Sequence, residues 1–198
     1  MTSPPSSLQE QKEALRRKLL KARQAIPARI RQAKSDSICQ HLQNWQPFAQ
    51  SRLTLAYHSF RGEPDLSPLF QQRRVWGFPR CEGKALKWHR WFPSSPWSFH
   101  TGTYGITEPD PASPAVEPYK TDLILIPCLA CDISGHRLGY GGGFYDRMLA
   151  DPTWANKTAI GIVFEYARLP QIPKADWDIP LSGICTESGL FLSNSSKN

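Results

Sequence analysis

Residues 123–130 read Leu-Ile-Leu-Ile-Pro-Cys-Leu-Ala, apolar at every position. A strand with one face in water alternates apolar and polar residues, so a strand without alternation needs cover on both faces. The run is also far shorter than the ~20 residues a membrane helix requires. It predicts the central strand of a parallel sheet with helices on either side. Its surroundings agree. Helical periodicity runs over residues 8–45, broken near Ile26-Pro27, and short helices are predicted at 65–72 and 144–150. Strand patterns fall at 52–60, 75–79, 85–91, 158–166 and 183–187. Such alternation predicts an α/β fold: one domain over residues 1–198, a three-layer α/β/α sandwich with a mostly parallel sheet and frayed tails at 1–6 and 193–198. Residues 92–119 are rich in proline and glycine and too long for a plain connection; Trp97 and Tyr104 within them predict packing against the body.

The N-terminal residues are polar and carry no signal-like apolar stretch, so a cytoplasmic protein is expected. The five cysteines are an odd number and are expected to be reduced. Cys128 and Cys131 form a Cys-x-x-Cys at the end of the apolar run, with no second pair to complete a four-sulfur zinc site. They read as two small hydrophobes in a buried strand end. The formal net charge of +7 is localised: residues 1–40 hold nine Lys/Arg against three Asp/Glu, and the other 158 hold fifteen against fourteen. A basic first helix on a near-neutral body suits a polyanion or a small, highly charged anion such as ATP.

Residues 137–147 read Arg-Leu-Gly-Tyr-Gly-Gly-Gly-Phe-Tyr-Asp-Arg. Four glycines in five positions, ahead of a predicted helix, let backbone amides approach an anion without Cβ obstruction, and the helix start adds unpaired N–H groups. Arg137 and Arg147 bracket the loop with forked donors. The dinucleotide pattern would need glycine at Phe144, and a Walker loop would end in Gly-Lys-Ser/Thr; neither is present. A glycine-rich structural turn is the competing reading. In the first helix, setting Lys12 at 0°, the apolar stripe of Leu8, Leu15, Leu19, Ala22 and Ile26 centres near about −40°, with Arg16 and Arg23 at ~40° and ~20°. These cations border the buried face, whereas Arg17, Lys18 and Lys21 lie far round the helix. Phosphate contacts or snorkelling edge cations both fit Lys12 and Arg16.

The loop GHRLGYGGGFYDRML resembles the signature of the 5-formyltetrahydrofolate cyclo-ligase (methenyltetrahydrofolate synthetase) family. KEALRRKLLKAR is similar to the family's first helix, FRGEPD to its folate-binding turn, TYGITEP to its Gly-Ile-x-Glu-Pro segment, DLILIPCLACDISGHRLG to its central strand and WDIPLSGICTESG to its last strand. Six elements in family order cover nearly the whole chain. The resemblance implies an ATP- and magnesium-dependent ligase that closes 5-formyltetrahydrofolate into 5,10-methenyltetrahydrofolate through a phosphorylated iminium at N5, with ADP and phosphate released. It implies that Lys12, Arg16, Arg137 and the loop Leu138, Gly139, Tyr140, Gly141, Gly142, Gly143, Phe144 and Tyr145 bind ATP. His58, Glu63, Tyr140, Gly141, Gly142, Gly143 and Phe144 fall to the folate, with Phe144 stacking on the pterin. Asp146 matches the magnesium ligand and, with Arg147, acts at the reacting phosphate. For Glu63 the alternative is an ordinary loop carboxylate, for His58 a strand-end histidine, and for Asp146 a helix-start carboxylate. Tyr145 is expected to pack inside.

The sequence departs from the family twice: Ser182 stands where some members bring a second acid to the metal, with Asp178 near but out of register, and Gly142 stands where some carry lysine. Small-molecule partners, a monomer, and neither nucleic acid nor membrane are expected. Two other classes compete. A nucleic-acid module could use the basic helix and tryptophans, but the body is neutral and has no basic aromatic sheet motif. A kinase or sugar-phosphate enzyme would share phosphate binding without the folate turn.

Overall fold

The computed structural model describes residues 7–72 and 74–193. Helix α1 (Leu8–Gln24) opens on a capping box: the Ser7 hydroxyl accepts the Glu10 amide at 3.2 Å and the Glu10 carboxylate accepts the Ser7 amide at 3.0 Å. Pro27 interrupts the helical run, and α2 (Ala28–Asn44) and α3 (Gln46–Gln50) follow. Then come β1 (Leu53–Leu55), β2 (Val75–Glu82), β3 (Ala85–Trp91), β4 (Phe99–Thr101), β5 (Thr107–Pro109), β6 (Leu123–Pro127), β7 (Ala130–Asp132) and β8 (Arg137–Leu138). Helix α4 (Phe144–Ala150), β9 (Thr158–Ile162), β10 (Arg168–Leu169), β11 (Gly183–Thr186) and β12 (Gly189–Leu192) complete the chain.

The main sheet has the order β12-β11-β9-β6-β1-β2-β3, so the continuously apolar β6 is the middle strand of seven. The pairs β1–β2, β1–β6, β6–β9 and β9–β11 are parallel, and the outer pairs β2–β3 and β11–β12 are antiparallel. Period-two alternation sends Ile124 and Ile126 to one face, with Leu19 of α1 and Met148 and Leu149 of α4. Leu123 and Leu125 go to the other, with Ile38 and Leu42 of α2 and Phe48 of α3. Helices cover both faces, giving the three layers that the unalternating run requires. Cys39, Cys128, Cys131 and Cys185 are buried, Cys81 is half-buried, and all five are free thiols.

Several elements differ from the sequence reading. The strand expected over 52–60 keeps only three residues in the sheet, because the chain then turns away toward Glu63. The helix expected at 65–72 is a 3-10 turn over Ser67–Gln71, with proline in its first turn. Residues 92–119 do pack on the body, but Tyr104 is 54% exposed. Phe99 is the inward anchor, its ring 4.4 Å from His58 and 5.2 Å from Phe78. The buried Glu108 carboxylate is a second anchor, accepting the Cys81 amide at 3.0 Å and facing Arg80 at 3.5 Å. The expected tails at 1–6 and 194–198 lie outside the described residues, but Ser193 is ordered, donating its amide to the Ser182 carbonyl at 3.0 Å. Among the described residues no helix is long and apolar enough to cross a membrane.

From β1 the chain proceeds outward to β2, and from β6 it proceeds outward the other way to β9, so β1 and β6 flank the point where winding reverses. A crevice opens beyond the carboxyl ends of such strands, where open α/β sheets bind their ligands. Leu125 is fully buried on β6. Leu125→Ala should cost about 2–5 kcal/mol by chemical denaturation, while Leu192→Ala on the exposed β12 should stay within about 0.5 kcal/mol of wild type.

Candidate functional site

Arg23 lies in that crevice. It is only 2% exposed, and Ala22, expected on the buried stripe, faces solvent. The helix therefore seats on the body with Leu15, Leu19 and Ile26 of its apolar stripe and the Lys12–Arg16–Arg23 edge together, rotated away from Ala22. Arg23 Nε donates to the Arg61 carbonyl at 3.2 Å beyond β1, and Nη1 to the Cys128 carbonyl at 3.4 Å beyond β6. Its Nη2 donates to the Tyr140 hydroxyl, which in turn donates to the Glu63 carboxylate. Glu63, 4% exposed, also accepts the Phe60 amide at 3.0 Å. Burial raises its carboxyl from 4.5 to about 7, although Arg23, the Phe60 amide and Tyr140 pull it down. The same surroundings, burial first and then the Glu63 charge, push the Tyr140 hydroxyl up.

The glycine loop is held by arginines. Arg16 Nε donates to the Gly139 carbonyl at 2.9 Å. Arg147 donates from Nη2 to the Gly142 carbonyl at 2.9 Å and from Nε to the Lys84 carbonyl at 2.7 Å. At Gly141 φ is +98° and at Gly143 +66°; an added Cβ at Gly143 would stand 2.6 Å from Arg147 Nη1. Glycine is required at both positions. Among the described residues no amide from Gly139 to Gly143 is donated to a protein acceptor. The carbonyls of Gly139, Gly142 and Gly143 are taken and the amides are left over, the polarity an anion needs.

Lys12 and Asp178 form a half-buried ion pair at 2.6 Å, and Asp178 also accepts the Ala175 amide at 2.8 Å. Beside it Arg137 Nη2 meets Asp146 Oδ1 at 2.7 Å, with the Asp146 side chain 48% exposed. The Arg137 charge also bears on Asp178, whose carboxyl is held low by Lys12, the Ala175 amide and Arg137 against its partial burial. Ser182 takes part in the sheet instead: its hydroxyl accepts the Ala159 amide at 3.2 Å. Among the described residues no group of three or more acidic, histidine or cysteine side chains could cage a metal ion. An exposed carboxylate beside free loop amides does fit magnesium that arrives with a polyphosphate and keeps oxygen ligands of its own.

His58 stacks on Phe78 at 4.6 Å, its Nε2 is buried without a hydrogen-bond partner among the described residues, and burial lowers its pKa to about 4. It is a neutral ring in an aromatic cluster, bordering with Glu63 a cleft of about 380 Å³. Phe144 is half-buried under Tyr104, ring centroids 5.9 Å apart, with the Arg147 guanidinium 5.3 Å from its centroid. Tyr145 packs inward beside Trp88 at 6.3 Å, and the Leu138 side chain is buried in the core. Arg23 thus links Glu63 to Tyr140 of the glycine loop, which Arg16 and Arg147 hold, and the pairs Lys12–Asp178 and Arg137–Asp146 stand near that loop. Sequence reasoning left out Arg23, which its helical phase of ~20° already placed with Lys12 and Arg16.

A mostly parallel sheet whose switch point carries a buried carboxylate and an amide-rich glycine loop defines an open α/β protein, the class that places its ligand sites at that point. The model of the 5-formyltetrahydrofolate cyclo-ligase family matches residues 8–187, and the chain belongs to that family. A Haemophilus influenzae protein named 5-formyltetrahydrofolate cyclo-ligase is 30% identical over 185 residues, which cover 88% of this chain and 97% of that one. An Escherichia coli K12 protein of the same name is 28% identical over 178 residues, 85% of this chain and 96% of that one. The solution structure of Aquifex aeolicus 5,10-methenyltetrahydrofolate synthetase superposes with a TM-score of 0.82 at 29% identity, covering 94% of this chain and 95% of that one.

Glu63 should leave a signature in stability. Its folded pKa is raised from 4.5 to about 7, so its contribution is greatest below pH 4.5 and is lost as pH rises toward 7, by up to about 3 kcal/mol. In Glu63→Gln, denaturation measured across pH 4–8 should lack that decline. An identical decline in the variant would show that Glu63 does not titrate there.

Proposed function

We propose that this chain is an ATP- and magnesium-dependent ligase of the cytoplasm that converts 5-formyltetrahydrofolate to 5,10-methenyltetrahydrofolate, acting as a monomer. The observation that carries the reading is the Arg23–Tyr140–Glu63 chain, which ties an amide-rich anion loop to a buried carboxylate in one crevice. A pterin offers N–H donors that suit Glu63, and a polyphosphate suits the loop amides. Family membership supports the folate as substrate.

In this mechanism the formyl oxygen attacks the γ-phosphorus of ATP; the bond to the bridging oxygen breaks and ADP leaves. N10 then attacks the iminium carbon, the carbon–oxygen bond breaks, and phosphate departs with the N10 proton. A formamide oxygen is a poor leaving group, and phosphorylation makes it a good one. The protein's task is positioning and charge neutralisation. Glu63 would hold the pterin by its donors, and Phe144 would stack on its face. Lys12, Arg16, Arg137, Arg147 and the loop amides would hold the phosphates in line. Lys12 and Arg137 stand paired to Asp178 and Asp146, so phosphate would enter by exchanging carboxylate partners. Magnesium, held at Asp146, would add neutralising charge at the phosphates.

Purified protein with 5-formyltetrahydrofolate and Mg-ATP should develop the near-ultraviolet absorbance of the methenyl product, one ATP consumed per turnover, and chelation should stop it. Turnover without nucleotide would overturn the reading. Arg16→Ala should weaken ATP binding by about 1–3 kcal/mol with folding intact, while Arg17→Ala, on the exposed side of α1, should leave it unchanged. Equal losses would mean that the helix acts through bulk charge alone. Asp146→Asn, which also weakens the pair with Arg137, should raise the magnesium requirement; a helix-start carboxylate would instead leave the magnesium curve unaltered.

A further inference from the structure

The cleft bordered by Glu63 and His58 carries a cation that the chemistry above leaves unused. Its walls are α2, through Arg31 and Gln32, the segment after β1, and Thr107 of β5. Arg31 Nη1 donates to the Ile26 carbonyl at 3.3 Å, and its guanidinium lies over Gly62, where an added Cβ would stand 3.5 Å from Nη1. Nearby carboxylates do not neutralise it. Asp65 is occupied by the Ser67 amide and hydroxyl, both at 2.9 Å, and Glu63 by the Phe60 amide and Tyr140. Among the described residues Arg31 has no ion pair. A half-buried guanidinium held in place, with donors to spare, is a carboxylate receptor.

A folate has opposite needs at its two ends, ring N–H donors at one and the glutamate carboxylates at the other. We infer that the cleft binds the carboxylate tail of the folate through Arg31, so that Glu63 and Arg31 together fix which way round the substrate lies. Glu63 takes the ring donors, and Arg31 takes the carboxylates. Gln32, exposed on the same wall, gives one amide hydrogen to Asp36 at 2.9 Å and has its second to donate to the other carboxylate. This rests on the folate reading proposed above.

The test uses 5-formyltetrahydrofolate beside 5-formyltetrahydropterin, which has the ring and formyl group but no aminobenzoylglutamate. Calorimetric affinity and turnover are measured for wild type, Arg31→Gln, Arg31→Lys and Gln32→Glu, with melting curves to confirm folding. Arg31→Gln should bind the full substrate about 10- to 100-fold more weakly, the range of a charge-assisted hydrogen bond. Arg31→Lys should recover most of that loss. The pterin should bind wild type and Arg31→Gln alike, and kcat at saturating folate and KM for ATP should not move. Gln32→Glu, a surface change that leaves Arg31 in place, should weaken the full substrate alone. Unchanged affinity for the full substrate in both Arg31→Gln and Gln32→Glu, or an equal loss for the pterin, overturns the assignment while wild-type turnover still stands. A wild type that neither binds nor cyclises the folate overturns the proposed function and this inference together.

Discussion

One buried guanidinium holds the site together. Arg23 bonds to the carbonyl beyond β1, the carbonyl beyond β6 and the hydroxyl of the glycine loop. It joins three segments far apart in sequence at the point where the sheet reverses its winding. Removing a charge of this kind from water costs several kcal/mol, recovered only if every donor finds a good acceptor. The arrangement therefore has few tolerable variants. The carbonyls must point inward, Tyr140 must present its oxygen, and an acid must complete the chain. Glu63 supplies that acid, and its raised pKa shows that the compensation stops short of complete in the free protein. A ligand that gave Glu63 further donors would finish what Arg23 begins.

The glycine loop shows the same economy of hydrogen bonds. Arg16 and Arg147 both reach it, and both donate to loop carbonyls. Turning the carbonyls toward the arginines leaves the amides for an outside acceptor. Each guanidinium has five N–H donors, and only some are engaged, so shaping the loop and touching an anion are compatible duties for one side chain. Lys12 and Arg137 differ. Each is clasped by an acid, and the two pairs sit close enough for Arg137 to influence Asp178.

How much of this could be read from the sequence depended on whether the signal was local. The unalternating run at 123–127 gave the position of β6 and the need for two helical layers, because coverage of both faces is a direct consequence of its side chains. Glycines 139–143 disclosed the loop for the same reason. The break at Pro27 and the helix after the loop were also local. What escaped was set by tertiary pairing. The two-residue strands β8 and β10 exist only because β7 lies between them, and β12 is made by the turn back onto β11. Arg23 was assigned to the edge of a stripe because periodicity weighs side chains by polarity, and a buried, fully bonded arginine breaks that rule. Asp178, named from the sequence as near the family's second acid but out of register, is paired with Lys12, a contact between residues too far apart in the chain to be read there.

The proline-rich stretch has a consequence of another kind. An outer strand leaves a row of unpaired amides and carbonyls, which is how folded proteins are recruited into aggregates. Here residues 114–116 run alongside β3: the Arg90 amide bonds to the Pro114 carbonyl and the Val116 amide to the Trp88 carbonyl, each at 2.7 Å. Pro111 and Pro114, lacking N–H groups, make poor templates for a further strand. Beyond carrying Tyr104 toward the site, the stretch serves as a selvedge for the sheet, finishing an edge that would otherwise fray into contacts with other molecules. Its sequence therefore answers to what lies outside the molecule as well as to packing within it.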